Sequence, residues 1–297
     1  MATILSVTSE YSGALAGELF LQAFKSSDSI AKNAITVLPN VIGSGALPKL
    51  SYSSGLSAQS CGWNPGGSVS YVEKSVATKQ YQIQHELCKN DFHQTFAAQA
   101  AGLFASDNEI PSTVQEGILL QMINNMGAIV DFEIWQGTNT ATSFNGLVPQ
   151  FILDADVVKL TGVTITAINV VSQLERVYNA IIAEVEDDAD MVIAVSKNVA
   201  KAYRQAIAAQ GLNTTVGAID TLDYLGMRME SLGGLPANKM AAYRVKNLAF
   251  LTGLESDMNE VRISDDESRL DGNVRTKMSF TAGVGYSFGA EIVYYGV

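Results

Sequence analysis

Residues 111–135, PSTVQEGILLQMINNMGAIVDFEIW, constrain this chain more than any other stretch. Val114, Ile118, Leu119, Met122, Ile123, Met126, Ile129 and Val130 recur at three- and four-residue spacings, the stripe of one helical face. Pro111 suits the first helical position, and Asp107 or Asn108 just before it can cap. At about 1.5 Å per residue the helix spans on the order of 35 Å, the width of a small domain. Gly117 and Gly127 inside it cost roughly 1 kcal/mol each relative to alanine. A single apolar stripe without a catalytic side chain describes a beam.

The 297 residues allow one large domain or two modest ones with ample core. Hydrophobic residues make up 47% and charged residues only 16%, below the roughly 25% charged of an average globular protein. Either the surface is rich in uncharged polar side chains, or much of it is buried against other subunits. The net charge is −11, and Lys and Arg are scattered without a basic run. That excludes a sequence-reading nucleic-acid binder, whose affinity needs phosphate contacts. The first basic residue is Lys25 and no apolar core follows Met1, so no secretory signal is expected. No apolar run approaches the roughly 20 residues of a membrane span. Two cysteines, Cys61 and Cys88, are too few for a disulfide framework and fit the cytosol.

Residues 12–24 place Leu15, Ala16, Leu19, Phe20, Ala23 and Phe24 on one helical stripe, and Lys25 closes it at the negative end of the dipole. This predicts an amphipathic arm helix. An extended connector with Pro39, Gly43, Gly45 and Pro48 follows. From Lys49 to Glu86 the composition turns to Ser, Gly, Tyr, Gln and Val. Val69, Tyr71 and Glu73 alternate with their neighbours, as do Tyr81, Ile83, His85 and Leu87. Asn64-Pro65-Gly66-Gly67 turns the chain between two arms. The result is a long β-hairpin with too little apolar area for its own core, which needs a neighbouring surface to lie on.

Residues 91–104 predict a short helix leading into the beam, and after Trp135 a polar loop ends in a tight Asn145-Gly146 turn. Residues 172–185 predict a helix with Leu174, Val177, Tyr178, Ile181, Ile182 and Val185 on one side. Asp187, Asp188 and Asp190 break it, and Met191–Val195 is a short buried strand. Ser196 caps the next helix, whose face carries Val199, Tyr203, Ala206 and Ile207 and which Gly211 stops. Helix, strand, helix makes an α/β layer with a small sheet. Residues 222–232 alternate in part, residues 239–254 carry another strand pair, and residues 274–282 form a strand that Gly283 and Gly285 interrupt.

The chemistry search finds no P-loop, dinucleotide fingerprint, HExxH or GxSxG. Gly283-Val284-Gly285 lacks the third glycine and the helix of a phosphate loop, and reads as a β bend. His85, Cys88 and His93, with Cys61 upstream, are the one zinc-like cluster, but the spacing is not that of a finger and a packed thiol explains it better. Asp187, Asp188 and Asp190 lack the ladder of a calcium loop and fit a solvated helix end, as do Asp265, Asp266 and Glu267. With two histidines and no nucleophile–base pair, no catalytic residue, metal site or cofactor is assigned.

An arm, a long two-stranded loop, a spine helix, an α/β lobe and a returning β segment, in that order, resemble the major capsid proteins of tailed phages with the HK97 fold. Residues 25–40 (KSSDSIAKNAITVLPN) look like the arm entering the loop. Leu87-Cys88-Lys89-Asn90-Asp91-Phe92 resembles a segment of capsid proteins from crAss-like and other phages infecting Bacteroidetes. Gly137-Thr138 and Phe144-Asn145-Gly146-Leu147 resemble the turn after the spine helix. Residues 247–252 and 257–262 resemble the late strands that rejoin the peripheral domain.

The resemblance implies an α+β chain: N-terminal arm 1–48, extended hairpin loop (E-loop) 49–90, peripheral domain 91–150 with spine helix 111–135, axial domain 151–254, and a C-terminal β segment 255–297 returning to the peripheral domain. It implies a non-enzymatic virion component that assembles in the host bacterial cytoplasm as pentamers and hexamers around double-stranded DNA. Its partners are itself, a portal, and separate scaffold and decoration proteins, with no membrane. By the same resemblance the chain is expected to start at the arm, without the helical extension that serves some relatives as a scaffold. Trp63 and Tyr71 on the loop and Leu15, Phe20 and Phe24 on the arm are the expected intersubunit contacts. Crosslinking in part of that family needs a lysine, an asparagine and a glutamate; Lys49, Lys74 and Lys79 lie on the loop, and the sequence pairs none of them. Two other classes are an encapsulin-type nanocompartment shell with the same fold and a small-molecule enzyme on the α/β lobe.

Overall fold

The computed structural model describes residues 7–12, 27–53, 55–56, 58–59, 61–62, 66–88, 125–209, 222–253, 260–265 and 273–296. In chain order its strands begin with β1 (Val7–Ser12), β2 (Thr36–Leu38), β3 (Ser44–Tyr52), β4 (Val69–Ala77) and β5 (Lys79–Cys88). Next come β6 (Val158–Leu160), β7 (Met191–Ser196), β8 (Leu222–Tyr224), β9 (Met227–Leu232) and β10 (Met240–Arg244). The last are β11 (Leu248–Thr252), β12 (Glu260–Asp265), β13 (Asn273–Tyr286) and β14 (Val293–Tyr295). Residues 125–136 are helical, and further helices run over Leu147–Leu153, Val170–Tyr178 and Lys197–Ala209. The α+β class read from the sequence is the class observed.

Two six-stranded sheets carry the body. The first is ordered β1-β12-β13-β11-β2, with β5 also paired to β13; the second is ordered β6-β14-β10-β7-β9-β8. In the first, Met278, Phe280, Val284 and Tyr286 of β13 join Phe250 of β11 in a core with Met126, Val130, Ile134 and Trp135 of the beam helix. The second sheet is apolar on both sides. Val192, Ala194, Ala241, Tyr243 and Tyr294 face that same core. Met191, Ile193, Val195, Met240, Ala242, Val293 and Tyr295 face a second core, roofed by Leu174 and Val177 of one helix and Val199, Tyr203 and Ala206 of another. Two covered faces explain why Met191–Val195 of β7 is a continuous apolar run rather than an alternating one.

Of the beam, residues 125–136 are described; residues 111–124, including Pro111 and Gly117, lie outside. Met126 and Val130 of the predicted stripe are buried, whereas Ile129 is 50% exposed. Asp131, on the same helix, is buried and tied to distant chain. One oxygen accepts from Ser27 Oγ (2.9 Å), Ser29 N–H (2.9 Å) and Ser29 Oγ (2.6 Å); the other accepts from Gly234 N–H (2.6 Å). The short Asp28–Ala31 turn is thereby fixed to the beam, and Lys197 bonds Asp28 at 3.0 Å.

Several local readings change. Ser12 ends β1, and residues 13–26, where the arm helix was expected, lie outside the described residues, as does the helix expected over 91–104. The hairpin is β3 with β4, so its first strand starts at Ser44 inside the expected connector. The alternating Tyr81–Leu87 stretch belongs to β5, which leaves the hairpin and pairs with β13 from Lys79↔Ala282 to Cys88↔Asn273. The predicted 172–185 helix stops at Tyr178, and tight turns with Ala180 N–H to Val177 O (3.2 Å) and Ile181 N–H to Tyr178 O (3.1 Å) continue it. Ser196 sits in front of the next helix, but its hydroxyl donates to Asn198 Oδ1 at 2.6 Å rather than capping an N–H. The expected strand pair in residues 239–254 is instead β10 and β11, one in each sheet, because the Val245–Asn247 turn redirects the chain between them. Residues 222–232 form a hairpin about Leu225 and Gly226, both at positive φ (50° and 84°), the two-residue turn whose twist suits paired strands. Leu147–Leu153 is a helix that the polar loop reading did not anticipate; Leu147, Val148 and Phe151 are its buried side chains.

Candidate functional site: a projecting hairpin and its root

β3 and β4 pair residue for residue from Ser44↔Ala77 to Tyr52↔Val69 as a two-stranded sheet of their own. Ser53 and Ser68 extend the pairing, with Ser53 N–H donating to Ser68 O at 2.9 Å. Paired residues share a face and neighbours along a strand alternate. One face therefore carries Gly45, Leu47 and Lys49 opposite Val76, Lys74 and Val72. At the root of this face Leu47 and Val76 are buried against Ala249 and Leu251 of β11. Thr78 N–H closes the root by donating to Gly43 O at 3.0 Å.

That root lies against β13, which runs unbroken for 14 residues through Gly283 and Gly285. The expected interruption is absent. The glycines serve close approach instead: a Cβ on Gly283 would stand 2.7 Å from Ala77 O, and one on Gly285 2.4 Å from Val76 Cγ2.

The opposite face of the hairpin is apolar and open. Leu50 (60% exposed) is paired with Tyr71 (61%), and Tyr52 (70%) with Val69 (65%). Four exposed apolar side chains on adjacent rungs of one face differ from the singly scattered apolar residues usual on a protein surface. Tyr71, expected as a contact residue, thus sits among three apolar neighbours that sequence reasoning passed over. The Pro48/Leu50/Tyr52 alternation was the available signal. The Tyr71 hydroxyl donates to Glu73 Oε1 at 2.9 Å, and the adjacent carboxylate pushes the phenol above its usual range. Trp63, Leu15, Phe20 and Phe24 lie outside the described residues.

The chemical candidates come apart. Cys61 is exposed beyond the hairpin strands, His85 lies on β5, and His93 lies outside the described residues; no group of acidic, His and Cys side chains among the described residues could hold a metal. Asp188 and Asp190 already face cations of the chain. Arg244 bonds Asp188 at 3.3 Å and grips Glu291 with two nitrogens (2.9 and 2.5 Å), and Lys246 bonds Asp190. A groove of about 560 Å³ crosses the first sheet between β5, β13 and β12. Its lining mixes Arg262, Arg275 and Lys277 with Glu86, which bonds Arg275 at 2.8 Å, as a solvated sheet face does. Of the loop lysines, Lys79 Nζ donates to Asn139 Oδ1 at 2.8 Å; Lys49 and Lys74 reach carboxylates of the body.

No protein-family model and no curated protein matches the chain. Solved structures do. A structure of Gordonia phage Cozz aligns with TM-score 0.62 at 13% identity, over 91% of this chain and 86% of the other. The procapsid of satellite phage P4 with its size-determination protein Sid aligns at 0.59 and 15% identity, over 94% and 99%. The fold is the HK97-like capsid fold. The capsid of Myoviridae phage XM1 aligns over 100% of this chain and 96% of its own at TM-score 0.55 and 11% identity. The likeness thus runs the length of the HK97-like chain rather than through one lobe. No helix among the described residues is long and apolar enough to cross a membrane.

Proposed function

We propose that this chain is the major capsid protein of a tailed phage, which assembles as pentamers and hexamers into an icosahedral shell around packaged double-stranded DNA. The observation that carries this reading is the hairpin's open apolar face, projecting from a body with a capsid fold. In the proposed arrangement the E-loop (49–90) takes in the hairpin from Lys49 onward and the β5 strand that returns to the body, the beam belongs to a peripheral unit (91–150 with the spine over 111–135), and the second sheet forms most of an axial unit (151–254). The arm (1–48) and the C-terminal segment (255–297) complete them. Leu50, Tyr52, Val69 and Tyr71, with Trp63 and the arm residues Leu15, Phe20 and Phe24, are buried against neighbouring copies in the lattice. Obligate assemblies of this kind bury on the order of 2,000–5,000 Å² per contact. The chain acts mechanically and carries no catalytic step, and its acidity suits a wall that encloses DNA without gripping it. A portal and separate scaffold or decoration proteins complete the particle. The finer likeness, to phages infecting Bacteroidetes, rests on the sequence stretches quoted above.

The test is to express the chain with the products of its neighbouring genes and examine it by light scattering and negative-stain electron microscopy. Closed shells, or rings of five and six, are expected. A chain that stays monomeric at every concentration overturns the reading, and shells that fill with a protein cargo instead of DNA favour the nanocompartment.

A further inference from the structure

The hairpin's body-facing side is held by charge. Beyond the apolar root, register brings Lys74 (opposite Leu47) and then Lys49 (opposite Val72) onto this side. Lys74 Nζ stands 3.5 Å from Asp154 Oδ2 and 3.5 Å from the centroid of the Tyr286 ring. Tyr286 donates its hydroxyl to the same Asp154 oxygen at 2.6 Å, and Asp156 N–H donates to the other at 3.0 Å. One rung further out, Lys49 Nζ lies 3.9 Å from Asp156 Oδ2 and 5.8 Å from the Phe288 ring centroid. Past that rung the side-chain hydrogen bonds of the described ribbon residues are internal, Tyr71 with Glu73 and Ser53 with Ser68.

We infer that Lys49 and Lys74, with Asp154, Asp156 and Tyr286, form a latch that sets the angle at which the hairpin leaves the body. Isolated surface ion pairs contribute little, because water and side-chain entropy compete with them. Three features separate this arrangement from such a pair. Both cations lie on successive rungs of one face. Each also stands over an aromatic ring, which adds a cation–π attraction to the ion pair. And Asp154 is aimed by a tyrosine hydroxyl and a backbone N–H before any lysine arrives. The root holds the hairpin with Leu47 and Val76, which leaves its tilt soft. A nine-residue strand is about 30 Å long, so a tilt of about 10° at the root moves its tip by ~5 Å. The latch removes that freedom and presents Leu50, Tyr52, Val69 and Tyr71 in one direction. It rests on the shell-subunit reading only for its purpose, since the contacts themselves lie within one chain.

Pulsed electron resonance on the full-length chain tests it. Spin labels go on Cys61 and on Lys201→Cys, an exposed position of the Lys197–Ala209 helix, in a Cys88→Ser background. The labelled chain is diluted into an excess of unlabelled chain, so that only distances within one chain are read. A narrow distance peak is expected, with its loss and a shift of the mean in Lys49→Gln/Lys74→Gln, and its retention in Lys49→Arg/Lys74→Arg. A broad distribution in the parent, or an unchanged peak in the glutamine pair, overturns the latch. Particle assembly is scored on the same proteins. Loss of the peak with normal assembly keeps the latch and sinks its purpose in the shell, whereas failure of every chain to assemble touches the shell reading alone.

Discussion

Asp131 gathers its four hydrogen bonds from two segments about a hundred residues away in sequence, the turn at 27–29 and the loop at Gly234. Replacing it with asparagine keeps the shape but turns one acceptor into a donor, which then meets either Gly234 N–H or the Ser29 donors. Leaving such a buried group unmatched costs about 2 kcal/mol, so Asp131→Asn is expected to lower the unfolding free energy by that amount, read as a fall in the urea midpoint at unchanged slope. In sequence this aspartate reads as the polar side of an amphipathic helix; only tertiary partners make it an interior residue. Tyr71, exposed on the hairpin, and Trp63, expected on the loop from sequence alone, carry the opposite expectation. In the proposed shell Tyr71→Ala and Trp63→Ala each remove a contact to a neighbouring copy, at a cost of more than about 1 kcal/mol where the residue is a hot spot. Particle yield should fall in both while circular dichroism of the unassembled chain is unchanged; intact shells at normal yield would remove these residues from the interface.

Among the elements, the hairpin and β13 depend on each other through what β13 lacks. Gly283 and Gly285 leave room for Ala77 and Val76, and the backbone of β4 cannot withdraw from Gly283 without giving up the Thr78–Gly43 bond. Gly283→Val therefore forces the root apart, at about 1–3 kcal/mol by the usual scale of overpacking. A drop in thermal midpoint together with early proteolysis within residues 53–68 is the expected outcome; an unchanged midpoint would show that the root can yield. The alternating pattern of β13 was legible, and so were the buried run of β7 and the helix that follows it. The continuation of β13 through two glycines was not, because a glycine pair in isolation says bend as readily as close approach. The assignment of β10 and β11 to different sheets was equally hidden, since three residues of turn decide it.

In the proposed shell the whole molecule joins an acidic surface to an assembly that must crowd copies together. At −11 per chain and a pI near 4.6, neighbouring subunits repel at neutral pH, and acidification toward that pI weakens the repulsion. The order of elements, and with it the capsid resemblance, was readable from the chain because it needs only periodicity and sequence order. The latch was not, because it joins Lys49 and Lys74 to Asp154, Asp156 and Tyr286 across more than a hundred residues in places. Its response to pH differs from that of the surface at large. Burial works against ionisation of Asp154, but the Tyr286 hydroxyl, the Asp156 N–H and Lys74 outweigh it and hold the carboxyl below the ordinary aspartate value of 3.8. Burial also lowers the Lys74 ammonium, with Asp154 opposing the shift, and Lys49 and Asp156 are the other charges facing the pair. A carboxyl depressed in the folded state contributes stability that is present above its unfolded value and lost as pH falls through its folded one. The latch should thus stay closed while the net charge of the chain falls toward zero. Light scattering is expected to show association strengthening from pH 7 toward 5 with the Cys61-to-body distance unchanged, and the narrow distance peak to disappear only below the ordinary aspartate range. A peak that broadens already at pH 5 would mean that carboxylates other than Asp154 set the hairpin's direction.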